Sequence, residues 1–594
     1  MARLEELLTG IPDLTLRKEI ADEVANIKSR TKFGLVFEQH IPEMAVLLTF
    51  PVRQGAFVRV RTEPNNRSIY RVTAISSSVA TIDDRDTTEC REIPIDQLHV
   101  VKDFSDPIYP ALMPVETVEQ GGDKPHHVVI NGENFHALEM LVFMYTQSVD
   151  LIYIDPPYNT GARDWKYNND FIDTNDQWRH SKWLSFMDKR LRLAKRLLKS
   201  DGILVVTIDE NEHAHLGMLL ESLFPNHAIN SIAIVHNPRG VQGDNFSYSN
   251  EFAVFVIPAG LKAITRRRAD KKPDNLRNWG GESERTDAKN CFYPIYIEDD
   301  RVVEFGAVAD DDYHPAKANV AVGKNRFEIW PIDNKGVERK WRYARDSVED
   351  IKDQLIVRGS KGTYQILLKK ESEPYKTVWQ DPKYDAGTHG TRLIGKLIDA
   401  KFPFPKSLYA VEEVLYACTA RKKDALILDF FAGSGTTLHA TCLLNAEDGG
   451  SRQCIIVTNN EVEETVARQC HKTGLFPGDP EYERLGIFEQ VTLPRIKAAI
   501  TGVRPNGKPA PDAYQGDLAR PISLGFEENV DFFRLGYLDP DRVEIGVEFA
   551  SLLPMLWLMS GGIGHFEGIE HGSWVIPADS TYAVLVHRQR DYDG

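Results

Sequence analysis

Apolar positions recur along this chain with two periods. Near the start, Leu16, Ile20, Val24 and Ile27 share one face of a helix that Asp13 can cap. From Gly55 the period drops to two, and residues 57–61, 69–72 and 79–82 read as short strands broken by Pro64-Asn65-Asn66 and by acidic turns. They predict a small β-barrel or meander, either an SH3-like adaptor or a cap on the core. Further along, fully apolar runs at 128–130, 149–154, 203–208, 425–428 and 454–457 have the length of buried strands. Helical spacing separates them. Leu184, Met187, Leu191, Ala194 and Leu198 lie on one face, with Gly202 expected to end that helix, and further helices are expected through Leu138 and Leu141 and over 438–443. Buried strands alternating with helices predict an α/β sheet.

Composition narrows the class. A chain of 594 residues should hold several domains. No apolar run approaches the roughly 20 residues of a membrane span, and Met-Ala-Arg-Leu-Glu-Glu at the start has no secretory pattern. The six cysteines include no CxxC pair, so neither zinc nor a disulfide framework is indicated, and a reducing cytoplasm fits. The acidic sequence Asp209-Glu210-Asn211-Glu212-His213 is expected to be a polar strand-to-helix loop and not a metal cluster.

Two strand ends carry the chemistry. The run 149–154 stops at Asp155-Pro156-Pro157-Tyr158-Asn159. This puts an acceptor-only carboxylate at a strand tip, where open α/β sheets bind ligands. Two prolines lack N–H donors and leave carbonyls that can only accept, and Tyr158 supplies a flat surface. Acceptors beside an aromatic plate suit an exocyclic amine on a planar base. The run 425–428 leads into Asp429-Phe430-Phe431-Ala432-Gly433-Ser434-Gly435-Thr436-Thr437 and a helix, a layout that presents backbone N–H groups to an anion. A dinucleotide loop would want glycine where Leu438 stands, and a phosphate-binding Walker loop would want a lysine that is absent. The carboxylate end of S-adenosylmethionine is the remaining ligand, with a plain tight turn as the bland alternative.

With both motifs present, the chain resembles the β-class DNA amino-methyltransferases, in which the catalytic half precedes the cofactor-binding half. Within them it is most similar to modification subunits of type III restriction systems and related phage-defence methylases. The similarity covers about residues 107 to 500. Asp-Pro-Pro-Tyr resembles the adenine-N6 enzymes more than the cytosine-N4 ones, and no cysteine follows a proline as cytosine-C5 chemistry would need. The resemblance implies an adenine-specific DNA methyltransferase with Asp155, Pro156, Pro157 and Tyr158 catalytic. It implies Asp429, Phe431, Gly433, Ser434, Gly435, Thr436, Glu461, Glu133, Lys406 and Ser407 around S-adenosylmethionine, and Tyr167-Asn168 near the target base. A valine at Gly435 is expected to abolish cofactor binding while sparing the fold.

The formal charge of −16 is awkward for a DNA binder, so basic residues must be concentrated. They cluster at Arg266, Arg267, Arg268, Lys271 and Lys272, and again at Arg339, Lys340 and Arg342. For each of these a solvated loop is the alternative to DNA contact. The family places its target-recognition domain in this region, and the composition suggests a mixed or β-rich insert. An imperfect nuclease-like pattern, Asp333 with Glu338-Arg339-Lys340, is expected to be chance.

The expected fold is a Rossmann-like, S-adenosylmethionine-dependent methyltransferase sheet in permuted order. Its expected parts are an N-terminal helical segment (1–50), a small β-barrel (51–106), the catalytic half (107–259), a target-recognition insert (260–375), the cofactor-binding half (376–500) and a C-terminal assembly module (501–594). Double-stranded DNA, a second copy of the chain and a helicase or nuclease subunit are the expected partners, with no membrane. The strand-like stretch at 582–586 close to the end suggests a longer natural protein. The alternatives are cytosine-N4 or RNA methylation, and a non-catalytic DNA-binding scaffold of a defence complex.

Overall fold

The computed structural model describes residues 16–17, 37, 44–48, 50–64, 66, 68–84, 90–103, 109–160, 179–243, 245–268, 273–360, 362–370, 372–515, 519–544, 548–560, 574–575 and 584–585. They fall into two compact units, 265–375 and the remainder. Asp13, Ile20, Val24, Ile27, Tyr167, Asn168, Lys271 and Lys272 lie outside the described residues.

In the larger unit the first six strands are β1 (Met44–Leu47), β2 (Phe57–Val60), β3 (Tyr70–Ser76), β4 (Val79–Asp84), β5 (Cys90–Pro94) and β6 (Leu98–Asp103). They form one antiparallel sheet in the order β1-β6-β2-β3-β4-β5 around Leu47, Val58, Val72, Ile82 and Val100. This sheet starts earlier than the 51–106 expected from periodicity, because 44–47 pairs with the end of β6. The expected helical segment 1–50 therefore ends in a strand.

The central sheet has ten strands: β7 (Tyr109–Glu119), β8 (His126–Asn131), β9 (Val149–Ile154), β10 (Leu198–Ile208), β11 (His227–Val235), β12 (Asn250–Pro258), β13 (Val378–Trp379), β14 (Leu426–Asp429), β15 (Gln453–Thr458) and β16 (Asn529–Leu538). Their order is β13-β11-β12-β10-β9-β14-β15-β8-β16-β7. The run β10-β9-β14-β15-β8-β16 is parallel. All six positions of β8 and of β9 are buried, as expected for parallel strands covered on both faces. Helices α1 (Asn134–Tyr145), α2 (Arg179–Leu197), α3 (His213–Leu223), α4 (Leu408–Thr419), α5 (Thr436–Asp448), α6 (Glu464–Lys472) and α7 (Leu493–Thr501) connect the strands. Among the described residues, no helix is long and apolar enough to cross a membrane.

The structure corrects two boundaries. Residues 501–594 are not a separate module: β16 lies between β8 and β7 inside the central sheet. Before it, Tyr514 is packed in the interior, where its hydroxyl and His439 Nε2 are hydrogen-bonded at 2.8 Å. Gly202 does not end α2, which stops at Leu197. It sits at a register shift within β10, where a Cβ would lie 2.8 Å from Leu198 Cγ and 3.0 Å from the Val149 carbonyl.

The smaller unit, 265–375, is β-rich. Its four-stranded sheet pairs Ile295–Glu298 with Arg301–Phe305 and with Arg326–Ile329. A hairpin joins Leu355–Ser360 to Thr363–Leu368. Tyr293, Ile295, Phe305, Trp341 and Ile366 form its own core.

Candidate active site

The sheet places the two motif-bearing strands side by side. Leu428 of β14 pairs with Ile152 of β9, so both loops leave the same edge. One connection runs to β10 and the other to β15, on opposite sides, which opens a crevice at a topological switch point.

Asp155 comes directly after β9 and its side chain is 27% exposed. Thr207, adjacent to it on β10, donates its hydroxyl to Asp155 Oδ1 at 2.7 Å. The Lys406 ammonium lies 3.1 Å from the same oxygen. Both partners sit on Oδ1. Lys406 also binds Glu251 Oε2 at 2.5 Å and donates to the Tyr158 hydroxyl. Tyr158 donates its own proton to Glu251 Oε2 at 2.8 Å. Burial opposes the charge on Glu251, but Lys406 and His236 outweigh it and hold this carboxyl below its usual range. Burial likewise opposes the Lys406 charge, and Asp155 and Glu251 more than restore it. The result is a desolvated, mutually neutralising group along the site floor.

This arrangement revises two expectations. Lys406 stands against the catalytic loop and not with the glycine loop, and its ammonium lies 4.5 Å from the Tyr158 ring centroid. Of the two outward carbonyls expected from Pro156-Pro157, that of Pro157 accepts the buried Trp183 indole N–H at 2.7 Å. Asn159 then adopts φ +59°, which asparagine tolerates better than most side chains, and is fully buried with its amide on Glu212.

The glycine loop is closed by its own residues. Asp429, 2% exposed, accepts the Phe431 N–H at 2.9 Å and the Thr437 hydroxyl at 2.5 Å. Burial pushes its carboxyl up to about 7, with those two bonds opposing. Gly433 and Gly435 have φ +49° and +80°. A Cβ on Gly435 would meet Ile496 Cδ1 at 2.9 Å, so its first demand is internal packing and not a ligand. Valine there would strain the loop itself, contrary to the expectation that the fold is spared. Helix α5 begins at Thr436 without a side-chain cap, which leaves its first-turn N–H groups for an anion. The buried Arg495 donates to Ser434 Oγ at 2.6 Å and Thr436 Oγ1 at 2.8 Å and adds positive charge beneath the loop. This donor set fits the carboxylate end of S-adenosylmethionine.

The remaining predicted residues separate into groups. Glu133 caps α1 through the His136 N–H at 3.0 Å and pairs with buried Arg190 at 2.8 Å, so both oxygens already have partners. Arg190 also binds Asn134, whose amide donates to the Phe430 carbonyl, and this ties the segment to the glycine loop. Phe431 packs against Phe186. Glu461 comes after β15 at the same edge, and Ser407 precedes α4 with its hydroxyl on the Lys383 carbonyl at 2.7 Å.

In the smaller unit, Arg339 is half-buried and donates to Asp333 at 3.0 Å, while Arg342 lies 3.4 Å from Asp274. These two arginines each face a carboxylate. Asp333 also accepts the Lys335 and Val337 N–H groups, so the nuclease-like pattern is a closed turn. Arg266 is exposed and hydrogen-bonds Ser372, with Arg267 and Arg268 in a short strand against Ser372–Glu373. The Lys340 side chain is half-buried.

The sequence reading missed Thr207, Trp183, Arg190, Glu251 and Arg495. Glu251 had a signal, since a carboxylate opening the apolar strand Asn250–Pro258 needs a buried partner.

Comparison with known proteins agrees with this geometry. The chain is 31% identical over 353 residues to the type II methyltransferase M.KpnI of Klebsiella pneumoniae, covering 55% of this chain and 79% of that protein. It is 28% identical over 386 residues to the type III restriction-modification enzyme EcoPI Mod subunit of Escherichia phage P1, covering 57% and 58%. It is 27% identical over 416 residues to the StyLTI Mod subunit of Salmonella typhimurium (strain LT2), covering 64% and 58%. The chain thus spans less than two-thirds of the length of these Mod subunits. A family model described as DNA methylase matches residues 149–468, from the strand that ends at Asp155 past the glycine loop. With more than half of its length matched, this chain belongs to the DNA methylase family.

Proposed function

We propose that this chain is a site-specific DNA methyltransferase acting on the N6 amine of adenine, with S-adenosylmethionine as methyl donor. The observation that carries the reading is Asp155, half-open at the crevice with one oxygen anchored by Thr207 and Lys406. An adenine amine is a weak nucleophile because its lone pair is delocalised into the ring. Asp155 Oδ2 and the Pro156 carbonyl accept its two hydrogens, favouring a pyramidal nitrogen with a directed lone pair. Charge-assisted hydrogen bonds are roughly twice as strong as neutral ones, which suits a carboxylate here. Lys406 and Thr207 fix the carboxylate so that this bond costs no reorientation. S-adenosylmethionine, when bound, supplies the electrophilic methyl. Gly433, Ser434, Gly435 and Thr436 hold its amino-acid end, with Phe431 beside them and Glu461 and Asp429 supporting the pocket.

The target base must leave the duplex, at a cost of a few kcal/mol. The Tyr158 ring offsets part of this, worth about 1–3 kcal/mol by analogy with single-strand binders. The order of the motifs supports a permuted sheet with the catalytic half first. The β-rich unit 265–375 is proposed as the target-recognition domain, with Arg266, Arg267 and Arg268 as its phosphate-facing residues. The names of the Mod relatives support work within a restriction-modification assembly on double-stranded DNA. Incubation with labelled S-adenosylmethionine and duplex DNA, followed by digestion to nucleosides, tests this. Label in N6-methyladenine is expected; label only in N4-methylcytosine, or none, would overturn the assignment.

A further inference from the structure

Glu212, His180 and His215 meet beside the catalytic loop, although they lie far apart or on opposite sides of a turn in the sequence. His180 is at the start of α2, Glu212 immediately precedes α3, and His215 is in its first turn. One ligand atom from each lies within 4.8 Å of the others. Glu212 is fully buried. Its Oε1 accepts from the Asn159 amide and lies 2.6 Å from His180 Nδ1. Its Oε2 lies 2.9 Å from His215 Nδ1 as an ion pair, and each of these two atoms is buried without a well-aligned hydrogen-bond partner among the described residues. A buried carboxylate oxygen and a ring nitrogen that face each other without a well-aligned hydrogen bond call for an explanation.

We propose that His180, Glu212 and His215 bind a zinc-type divalent transition-metal ion that braces the Asp155–Asn159 loop. Two imidazole nitrogens and one carboxylate oxygen are a borderline donor set that suits such an ion and is too nitrogen-rich and too small for calcium or magnesium. Ligand bonds of about 2.0–2.2 Å to tetrahedral zinc place donor atoms roughly 3.3 Å apart, and the three donors here already lie within 4.8 Å of one another. The two rings lie side by side with centroids 4.7 Å apart. Both histidine side chains are more than a third exposed, at 36% and 38%, which leaves an entry path and an open coordination position. His180 Nε2 now receives the Arg179 Nε at 3.3 Å, and binding through Nδ1 would shift the ring proton to Nε2 and release that contact. The carboxylate that would hold the ion also holds Asn159, the left-handed residue that ends the catalytic loop. The ion's role is therefore positional, with no part in bond making, and the proposal stands independently of the reaction assigned above.

The test uses full-length protein stripped with a chelator and titrated with zinc and, separately, with cobalt. One tight equivalent is expected, with a visible cobalt ligand-field band and a zinc-dependent rise in unfolding temperature. His180→Ala/His215→Ala should lose all three. His213→Ala should keep them, because that ring bonds Ser231 outside the cluster. Should the double variant misfold, His215→Ala alone, on the exposed side, should still lose the tight equivalent. Uptake by the wild type no greater than by the histidine variants, or no uptake at all, would overturn the site.

Discussion

Asp155, just after one strand, and Asp429, at the end of its parallel neighbour, have opposite fates. Asp429 is succeeded by a glycine turn whose backbone and Thr437 fold back onto its carboxylate, so both oxygens are satisfied locally and the group is sealed. Asp155 is succeeded by two prolines, which have no N–H to offer. Its partners must come from elsewhere, Thr207 from the next strand and Lys406 from the segment before α4, and both take the same oxygen. The difference lies in the residues on the C-terminal side of each aspartate. A carboxylate that its own loop cannot satisfy is left available for a substrate amine.

The largest effect should come from removing the cation that anchors the open aspartate. Lys406→Met leaves Glu251, 3% exposed, as an unpaired buried charge, and should cost about 3–5 kcal/mol of stability. Thermal unfolding should recover much of that in the Lys406→Met/Glu251→Gln double variant; no recovery would mean the floor is not one coupled group. Next comes the closed loop. Gly435→Ala forces a side chain to φ +80° and against Ile496, and should destabilise by about 1–2 kcal/mol. It should also weaken cofactor binding by calorimetry, whereas unchanged unfolding would return the glycine's role to the ligand.

A pH-dependent effect comes from the raised carboxyl of Asp429. In the folded protein it keeps its proton up to about 7, while the unfolded chain has released its own above about 4. The native state thus binds the extra proton in that window, and its stability falls as pH rises through it. Asp429→Asn should flatten the difference in stability between about pH 4 and 7, by at most about 1.4 kcal/mol per pH unit. An unchanged slope would show that the group is ionised and the loop more open than described. The mildest test reaches the separate unit. Replacing Arg266, Arg267 and Arg268 by alanine should flatten log K against log salt for DNA binding by up to about 0.9 per lost phosphate contact, with cofactor affinity unchanged.

The same contrast explains what the sequence disclosed. The glycine loop and the run into Asp155-Pro156-Pro157-Tyr158 are local patterns, and the parallel core around them is legible from buried runs of strand length. The support of Asp155 is not local. Thr207 and Glu251 reach it only through strand order, and Lys406 only through a loop far along the chain. Glu212 reads as one acid in a polar loop until α2 brings His180 to it. The role of β16 was hidden for the same reason, since a late strand can enter the sheet beside β8 without local warning. The surroundings of Arg339 and Arg342 were hidden in the same way, because a dense basic run does not reveal that Asp333 and Asp274 face it.

The most direct measurement sets Asp155→Asn beside Asp429→Asn, monitoring N6-methyladenine formation and S-adenosylmethionine affinity on the same preparations. Asp155→Asn should lose methyl transfer by a factor on the order of 10²–10⁴ and keep cofactor affinity within a few-fold. Asp429→Asn should retain most of its transfer, since its side chain only closes the loop. Comparable transfer loss in both, or loss of cofactor binding with Asp155→Asn, would contradict the division into one open and one sealed aspartate.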